Sequence, residues 1–438
     1  MGVKIFYIIP SSWTFSQIKT GASHKKIRYH FRDIFLFYGC QKPMRKPYER
    51  SYDQKKFYLS RLMSFHLAID ARMYSSRFTG IGRYVHEISK RIFQARPDWK
   101  VSFFLSPPEY QSFVPPHANV FPILAPEPIY SLAEQTSFPF KILKESPDLT
   151  WFPHFNVPVW YPKKFVVTIH DLTISRYPGK KKTSILHKYG YQAILKNALL
   201  RSQKIFAVSQ NTKKDLMEME GVSDKKIRVI HNGIGEEFLS PLQNLPIAKT
   251  LEKYEIQKPF FLYTGVWREH KNILRLLQAF QSLVTEGIVA ELVLTGNPDP
   301  YYPEILEYIH QNHLENLVKT VGLVNEDELL SLYSSATAYV FPSLYEGFGL
   351  PGLEAMALGT PVLSSSSSCL PEIYGDGAEF FNPENTEEMA QKMKSVLESP
   401  DLRNSLQERG KIQVQKFSWD RAAKAVQEEM ENIFAPKK

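Results

Sequence analysis

The 438-residue sequence predicts an α/β protein built as two domains. Three observations predict it. The chain is too long for one ordinary hydrophobic core. An alternation of short apolar strand, loop and amphipathic helix starts at Phe65 and starts again at Phe260. The loops that follow several of the strands carry glycine, histidine or paired cations, where open α/β sheets collect their ligands.

Composition narrows the function classes. Hydrophobic residues at 43% and charged residues at 23% are those of an ordinary soluble globular chain, so neither a disordered nor a fibrous class is expected. The two cysteines, Cys40 and Cys369, form no disulfide framework and no metal-ligand spacing, which fits a reducing compartment. No run of about 20 apolar residues suggests a membrane span. The net charge of +9 is unevenly placed: residues 1–62 hold 13 Lys/Arg against three Asp/Glu, a balance of +10 that leaves −1 for the rest. The basic character therefore belongs to the leader, which weakens a nucleic-acid reading.

Residues 1–62 show little periodicity beyond a short strand at Lys4–Pro10 and an apolar run at Ile34–Tyr38. No apolar core leads to a small-residue cleavage site, so a secretory signal is not expected. Met63 stands just before the first good strand. It is read as the functional start, or residues 1–62 as a poorly ordered extension; a basic arm on a membrane surface is the functional alternative.

From there the elements run in order. His66–Asp70 reads as a strand, Thr79–Arg83 as a glycine turn and Tyr84–Ala95 as a helix, with Val85, Ile88 and Ile92 on one face. Strand, glycine loop and helix make a phosphate-ready unit, although Gly80 and Gly82 alone equally suit an ordinary turn. Val101–Leu105 is the next strand, followed by a Pro-rich stretch to Pro128. Strands at Leu149–Pro153 and Phe165–Ile169 lead into His154-Phe155-Asn156 and His170-Asp171. Histidines at strand ends are candidates for the cleft; the bland alternative is an imidazole bonding a loop. Ser175–Leu200 reads as a basic amphipathic helix or a solvated one. A strand at Lys204–Ser209, a helix at Ser209–Met219 and a strand at Ile227–Ile230 before His231-Asn232-Gly233 complete a domain of residues 63–240.

Residues 241–258 read as a linker. The second domain, 259–418, opens with a strand at Phe260–Thr264, a loop holding Arg268 and Lys271, and a helix at Ile273–Val284. Two cations where a strand gives way to a helix N-terminus can neutralise a diphosphate. Strands at Glu291–Leu294 and Val318–Gly322 alternate with helices at Tyr302–His313 and Glu326–Ser335; helices at Glu387–Leu397 and Leu402–Val414 follow, and Trp419–Phe434, in residues 419–438, is read as a helix packing back across both domains.

The stretch Val340–Glu372, VFPSLYEGFGLPGLEAMALGTPVLSSSSSCLPE, organises the rest. A buried strand ends at Pro342, Gly347 and Gly349 bracket Phe348, Pro351 suits a first helical turn, and Gly359 with Pro361 stops the helix. A helix N-terminus offers N–H groups to phosphate, and Glu346 and Glu354 can accept hydrogen bonds from sugar hydroxyls. The pieces suit a nucleotide sugar; two solvated acids on a surface loop are the ordinary alternative.

FPSLYEGFGLPGLEAMALGTPVLSSSSSCLPEIYG closely resembles the signature of family-four retaining glycosyltransferases. ARMYSSRFTGIGRY, WFPHFNVP, TIHDL, AVSQNTKKDL, HNGI, YTGVWREHKNILRLLQAF and FSWDRAA support it in family order over about residues 63–434. The set looks most like bacterial mannosyltransferases that extend surface polysaccharides. The resemblance implies two Rossmann-like domains facing across a cleft, the GT-B fold. Glu354 would bond the ribose hydroxyls of a nucleotide-sugar donor. Glu346 would contact the hexose, with the backbone around Phe348, Gly349 and Leu350. Arg268 and Lys271 would hold the diphosphate, and Gly80 and Gly82 would approach it. His170 would lie near the donor sugar, with His154, Asn156 and Asp171 as acceptor-side or cleft residues. Two departures stand out: His270 where many relatives place an arginine before the lysine, and Gly352 where relatives often have a larger apolar residue.

The expected function is thus retaining hexosyl transfer, most readily of mannose from GDP-mannose, to a saccharide or lipid-linked saccharide. Glu346, His170, Arg268 and Lys271 would be the catalytic set. No metal or other cofactor is expected, because cations and a helix end would stabilise the leaving diphosphate. Same-face attack and a covalent Glu346 intermediate both remain open. A hydrolysing sugar-nucleotide epimerase and a non-catalytic sugar-nucleotide sensor are the alternatives, and nucleic acid is not an expected partner. The expected location is the cytoplasm, with peripheral contact at the inner face of a membrane.

Overall fold

The structure is a computed structural model describing residues 65–74, 80–180, 185–239, 245–257 and 259–434. The reading of residues 1–62 lies outside them. The unit from Ser60 to Lys438 carries two sheets. The first holds β1 (His66–Ala71), β2 (Lys100–Leu105), β3 (Val120–Leu124), β4 (Leu149–Phe152), β5 (Phe165–Ile169), β6 (Lys204–Ala207) and β7 (Ile227–Val229), in the order β3-β2-β1-β4-β5-β6-β7. The second holds β8 (Phe260–Tyr263), β9 (Glu291–Thr295), β10 (Val318–Gly322), β11 (Ala338–Phe341), β12 (Val362–Ser365) and β13 (Ala378–Phe381), in the order β10-β9-β8-β11-β12-β13. Every pairing between these strands is parallel. These are two Rossmann-like domains, as the sequence predicts.

The strands explain the parallel sheets. FVVTI in β5, FFLY in β8 and AYVF in β11 are continuous apolar runs, buried throughout. Such strands need helices over both faces. The helices that bear on the site are α1 (Gly80–Ala95), α2 (Leu132–Glu145), α3 (Ile185–Arg201), α4 (Gln210–Glu220), α5 (Ile273–Thr285), α6 (Leu350–Ala357) and α7 (Trp419–Phe434). In each sheet the strand order reverses direction once, between β1 and β4 and between β8 and β11. The crevices beyond those two strand pairs are where such sheets bind ligands.

Helix α7 ends the chain against the first sheet. Trp419, Ala422, Ala423, Val426 and Met430 share a core with Tyr84, Val85, Ile88 and Ile92 of α1. The Trp419 ring meets Tyr84 edge-on at 6.1 Å, and Asp420 pairs with Arg91 at 2.5 Å.

Several elements differ from the sequence reading. Helix α1 begins at Gly80, so Gly80 and Gly82 lie in its first turn and not in a turn before it. Glycine costs a helix about 1 kcal/mol relative to alanine; burial of Arg83, Tyr84, Val85 and Ile88 in the following turn outweighs that. Strand β3 and helix α2 lie in a region read only as Pro-rich. Pro122 sits within β3, an edge strand, the position where a missing N–H is tolerated. The basic run at 175–200 is not one helix: Pro178 and Gly179, with φ of +71°, separate Thr173–Arg176 from α3. Beside the 241–258 linker reading, the structure has a helix at Ile247–Lys253.

If α7 completes the first domain's core, Trp419→Ala lowers folding stability by about 3–5 kcal/mol, the usual cost of emptying a buried tryptophan site. Denaturant unfolding measures it; a change under about 1 kcal/mol would contradict the packing.

Candidate active site

The two loops at the β8/β11 crevice are laced together. Asn272, at φ +59°, donates through Nδ2 to the carbonyls of Pro342 (3.0 Å) and Pro383 (2.8 Å). The Leu344 N–H donates to the His270 carbonyl at 2.7 Å. This lacing sets Lys271 against Glu346, with Nζ–Oε1 at 2.6 Å and both side chains largely buried. Arg268, at the loop's outer end, is exposed and makes no ion pair among the described residues. His270 is buried. Burial first, then Lys271, brings its pKa down to about 3, against an opposing pull from Asp171. The residue replacing arginine is thus a neutral imidazole, and the loop's positive charge rests on Arg268 and Lys271.

The Glu346–Glu354 segment is shaped by close approaches. A Cβ on Gly347 would fall inside the carbonyl oxygen of His170, so only glycine lets β11's loop meet β5's. Ser368 Oγ donates to the Glu346 carbonyl at 2.6 Å. Gly349 adopts φ +95° before α6, and the Tyr374 hydroxyl donates to its carbonyl at 2.6 Å. The same phenol fills the space a side chain at Gly352 would need, which accounts for that departure. Phe348 is buried, edge-on to Phe417 at 5.6 Å, so its ring belongs to the core. Leu350 is half-buried at the start of α6.

Glu354 is buried, and its carboxylate accepts from Arg83 Nη1 of α1 at 2.7 Å and from the Tyr333 hydroxyl at 3.4 Å. Burial pushes its pKa up; Arg83 opposes and Glu237 adds to the rise. Arg83 also lies 3.3 Å from Glu237. The first turn of α1, with Gly80 and Gly82, therefore delivers a cation to the second domain.

On the first domain's side, His170 Nε2 donates to the Pro153 carbonyl at 2.8 Å, and its ring meets Tyr84 edge-on at 4.8 Å. Burial lowers its pKa, against the Pro153 hydrogen bond and Asp171. Asp171 accepts from the Thr173 N–H at 2.7 Å and is turned into its own loop. His154 pairs with Asn156 through Nδ1 and Oδ1 at 3.0 Å, and its ring lies 6.4 Å from that of His170.

The structure thus joins Glu346 to Lys271 and the Gly347 backbone to His170, and gives Glu354 a partner that sequence reasoning missed. Other bridging residues were missed too. Glu372 accepts from the Gln210 N–H (2.8 Å), the Asn211 N–H (3.2 Å) and His231 Nε2 (2.7 Å), so the second domain caps α4 of the first. The Tyr345 hydroxyl donates to Asp215 at 2.6 Å and accepts from the Leu172 N–H at 3.2 Å. Arg83 and Glu372 lie inside motifs quoted from the sequence, but nothing local names a partner hundreds of residues away. A cavity of about 300 Å3 beside Pro259, Thr337 and Pro361 opens at the opposite ends of β8, β11 and β12 and holds none of these residues. Among the described residues, no group of three or more His, Cys, Asp or Glu is arranged to hold a metal ion.

Residues 78–238 match the family described as Glycosyltransferase Family 4, and residues 247–413 the one described as Glycosyl transferases group 1. The chain is 28% identical over 363 residues to an O-antigen chain mannosyltransferase B of Escherichia coli, covering 78% of this chain and 93% of that one. It is 31% identical over 287 residues to an uncharacterized glycosyltransferase of Methanocaldococcus jannaschii (63% and 71%). It is also 30% identical over 289 residues to the serotype-specific mannosyltransferase WbdA of Escherichia coli, but spans only 33% of that protein. Among solved structures, sucrose-phosphate synthase from Thermosynechococcus elongatus superposes with a TM-score of 0.68 at 21% identity, over 85% of this chain and all of that one, which is a likeness of fold.

The Arg83–Glu354 pair yields a pH prediction. A carboxyl held above its ordinary value loses its charge as pH falls through that value. Arg83 holds it down, so Arg83→Met lets it rise further, with Glu237, Tyr333 and Tyr339 as the remaining neighbours. The acidic limb of the activity profile should then move to higher pH, read between about pH 5 and 9. An unmoved limb would show that Glu354's charge is not used.

Proposed function

Because this chain belongs to glycosyltransferase family 4, we propose that it moves mannose from GDP-mannose, with retention, to a saccharide or lipid-linked saccharide of a surface polysaccharide. Mannose is suggested by the activity named for the O-antigen relatives. The observation that carries the chemistry is the Lys271–Glu346 pair at 2.6 Å in the β8/β11 crevice. Glu346 accepts hydrogen bonds from hexose hydroxyls while Lys271 and Arg268 face the diphosphate. Glu354 serves the ribose.

In the reaction, the bond from the anomeric carbon to the diphosphate oxygen breaks and leaves its electron pair on that oxygen. Lys271, Arg268 and the N–H groups after Gly349 stabilise the growing charge in a site where they are already oriented. The acceptor oxygen bonds the same face of the anomeric carbon and passes its proton to the departing diphosphate oxygen. No metal or other cofactor takes part. The ion pair favours this route over covalent catalysis, since a carboxylate paired with an ammonium is a weakened nucleophile. Nothing favours epimerisation or donor sensing without turnover, and nucleic acid plays no part.

A donor screen with the purified chain, read as acceptor-dependent nucleotide release and followed by linkage analysis, should select GDP-mannose. Glu346→Gln and Lys271→Ala should each slow transfer by about 10²–10³-fold, the scale of losing one preorganised stabilising group. Wild-type rates in both variants would refute the assignment.

The proposed location is cytoplasmic, with peripheral contact at an anionic membrane. No helix of the described residues is long and apolar enough to cross a membrane. Trp160 is exposed, Arg201 of α3 donates to the carbonyls of Val159 and Tyr161 on either side of it, and Lys163 and Lys164 follow it. An exposed tryptophan flanked by cations suits a headgroup region. Trp160→Ser should reduce co-sedimentation with phosphatidylglycerol vesicles, and unchanged sedimentation would refute it.

A further inference from the structure

Among the described residues, Glu354 has one donor on each carboxylate oxygen. Arg83 Nη1 reaches Oε1 at 2.7 Å and the Tyr333 hydroxyl reaches Oε2 at 3.4 Å. An ionised carboxylate offers about four acceptor positions, two on each oxygen. One position is therefore left on each oxygen, the pattern that a vicinal pair of hydroxyls fills. Arg83 comes from the first domain. Tyr333 shares the second domain with Glu354, so its hold on the carboxylate does not depend on the first.

Tyr333 is itself firmly placed. It lies near the end of the helix Glu326–Ser335 and is fully buried. Thr360, in the turn that stops α6, donates through Oγ1 to the Tyr333 carbonyl at 2.6 Å. The backbone of Tyr333 is thus tied to the helix that carries Glu354. Its ring packs at 5.6 Å from that of Tyr339 and edge-on to Phe238 at 6.5 Å.

The hydroxyls behind Glu354 run in one direction. A carboxylate can only accept, so Tyr333 donates to Glu354. The Tyr333 oxygen then accepts, and the Thr264 hydroxyl faces it at 2.9 Å. Thr264 Oγ1, having given its proton, accepts from the Tyr339 hydroxyl at 3.3 Å. All three side chains are buried, and each donor is polarised by the one behind it. Burial first, then Glu354 and Tyr339, lifts the Tyr333 phenol well above its ordinary pKa, so it stays a donor. A buried phenol needs one partner, and Thr264 is that partner; the contact with Glu354 is a second one. At 3.4 Å that contact has room to shorten as ligand hydroxyls settle on the same carboxylate.

We propose that Tyr333 is a positioning residue for the donor nucleotide: its hydroxyl, backed by Thr264 and Tyr339, holds the Glu354 carboxylate turned so that its two remaining acceptor positions meet the 2′- and 3′-hydroxyls of the ribose. This rests on the assignment of the ribose to Glu354 above.

The test is calorimetric titration of the full chain, wild type and Tyr333→Phe, with GDP, UDP and their 2′,3′-dideoxy forms. Phenylalanine keeps the ring and leaves the Thr264 hydroxyl its contact with Tyr339. In the wild type, loss of the diol should weaken the preferred nucleotide about 10–100-fold, the scale of hydrogen bonds to a charged group. Tyr333→Phe should weaken the ribonucleotide about 3–10-fold and leave the dideoxy form within about twofold, so the ratio of the two narrows. With GDP-mannose, the donor KM should rise by a similar factor while kcat at saturating donor is kept. Equal losses for both forms, no loss for either, or a fall in kcat with donor KM unchanged would overturn the role of Tyr333 and leave the ribose assignment standing. A wild-type chain that binds the dideoxy form as tightly as the ribonucleotide, or binds neither nucleotide, would overturn both.

Discussion

The loop after β5 and the loop after β11 meet backbone to backbone, with Gly347 against the His170 carbonyl. Everything in the cleft depends on that separation. A contact between two main chains cannot lengthen by rotating a side chain, so it fixes the gap more firmly than a surface ion pair does. At this gap Arg83 reaches Glu354, Glu372 caps α4, and Tyr345 joins Asp215 to the Leu172 amide. Each bridge is side-chain chemistry built on a main-chain spacing already set.

Charge is divided with the same economy. His154, His170 and His270 all lie at or near the cleft, and burial lowers the pKa of each. Positive charge is left to Arg268 and Lys271 beside the β8/β11 crevice. An arginine at position 270 would have added a third cation; a buried neutral ring instead packs 6.0 Å from Tyr177 of the other domain. The first domain thus contributes buried imidazoles and one cation, Arg83 against Glu354, while the loop cations Arg268 and Lys271 belong to the second.

Much of this was legible in the sequence because the signals are local. FVVTI, FFLY and AYVF can only be buried strands, and the glycines around Phe348 announce a loop that something approaches closely. Lys271 and Glu346 were recognisable one by one. Less legible was anything decided by a partner far along the chain. Gly80 and Gly82 look like a turn until the burial of Arg83 and Tyr84 draws them into α1. The Pro122 strand is masked by its proline, which is harmless only because β3 lies at an edge. The roles of Arg83 and Glu372 depend on contacts spanning 271 and 162 positions, respectively.

The Tyr374 phenol occupies the volume that a side chain at position 352 would take, while its hydroxyl holds the Gly349 carbonyl at the head of α6. The two positions are therefore not free to drift separately. A larger residue arriving first at 352 would collide with the ring and displace the helix start. A smaller residue arriving first at 374 would leave a void and an unbonded carbonyl beneath the same turn. Either change alone damages the same turn, so the two positions accept substitution only as a pair.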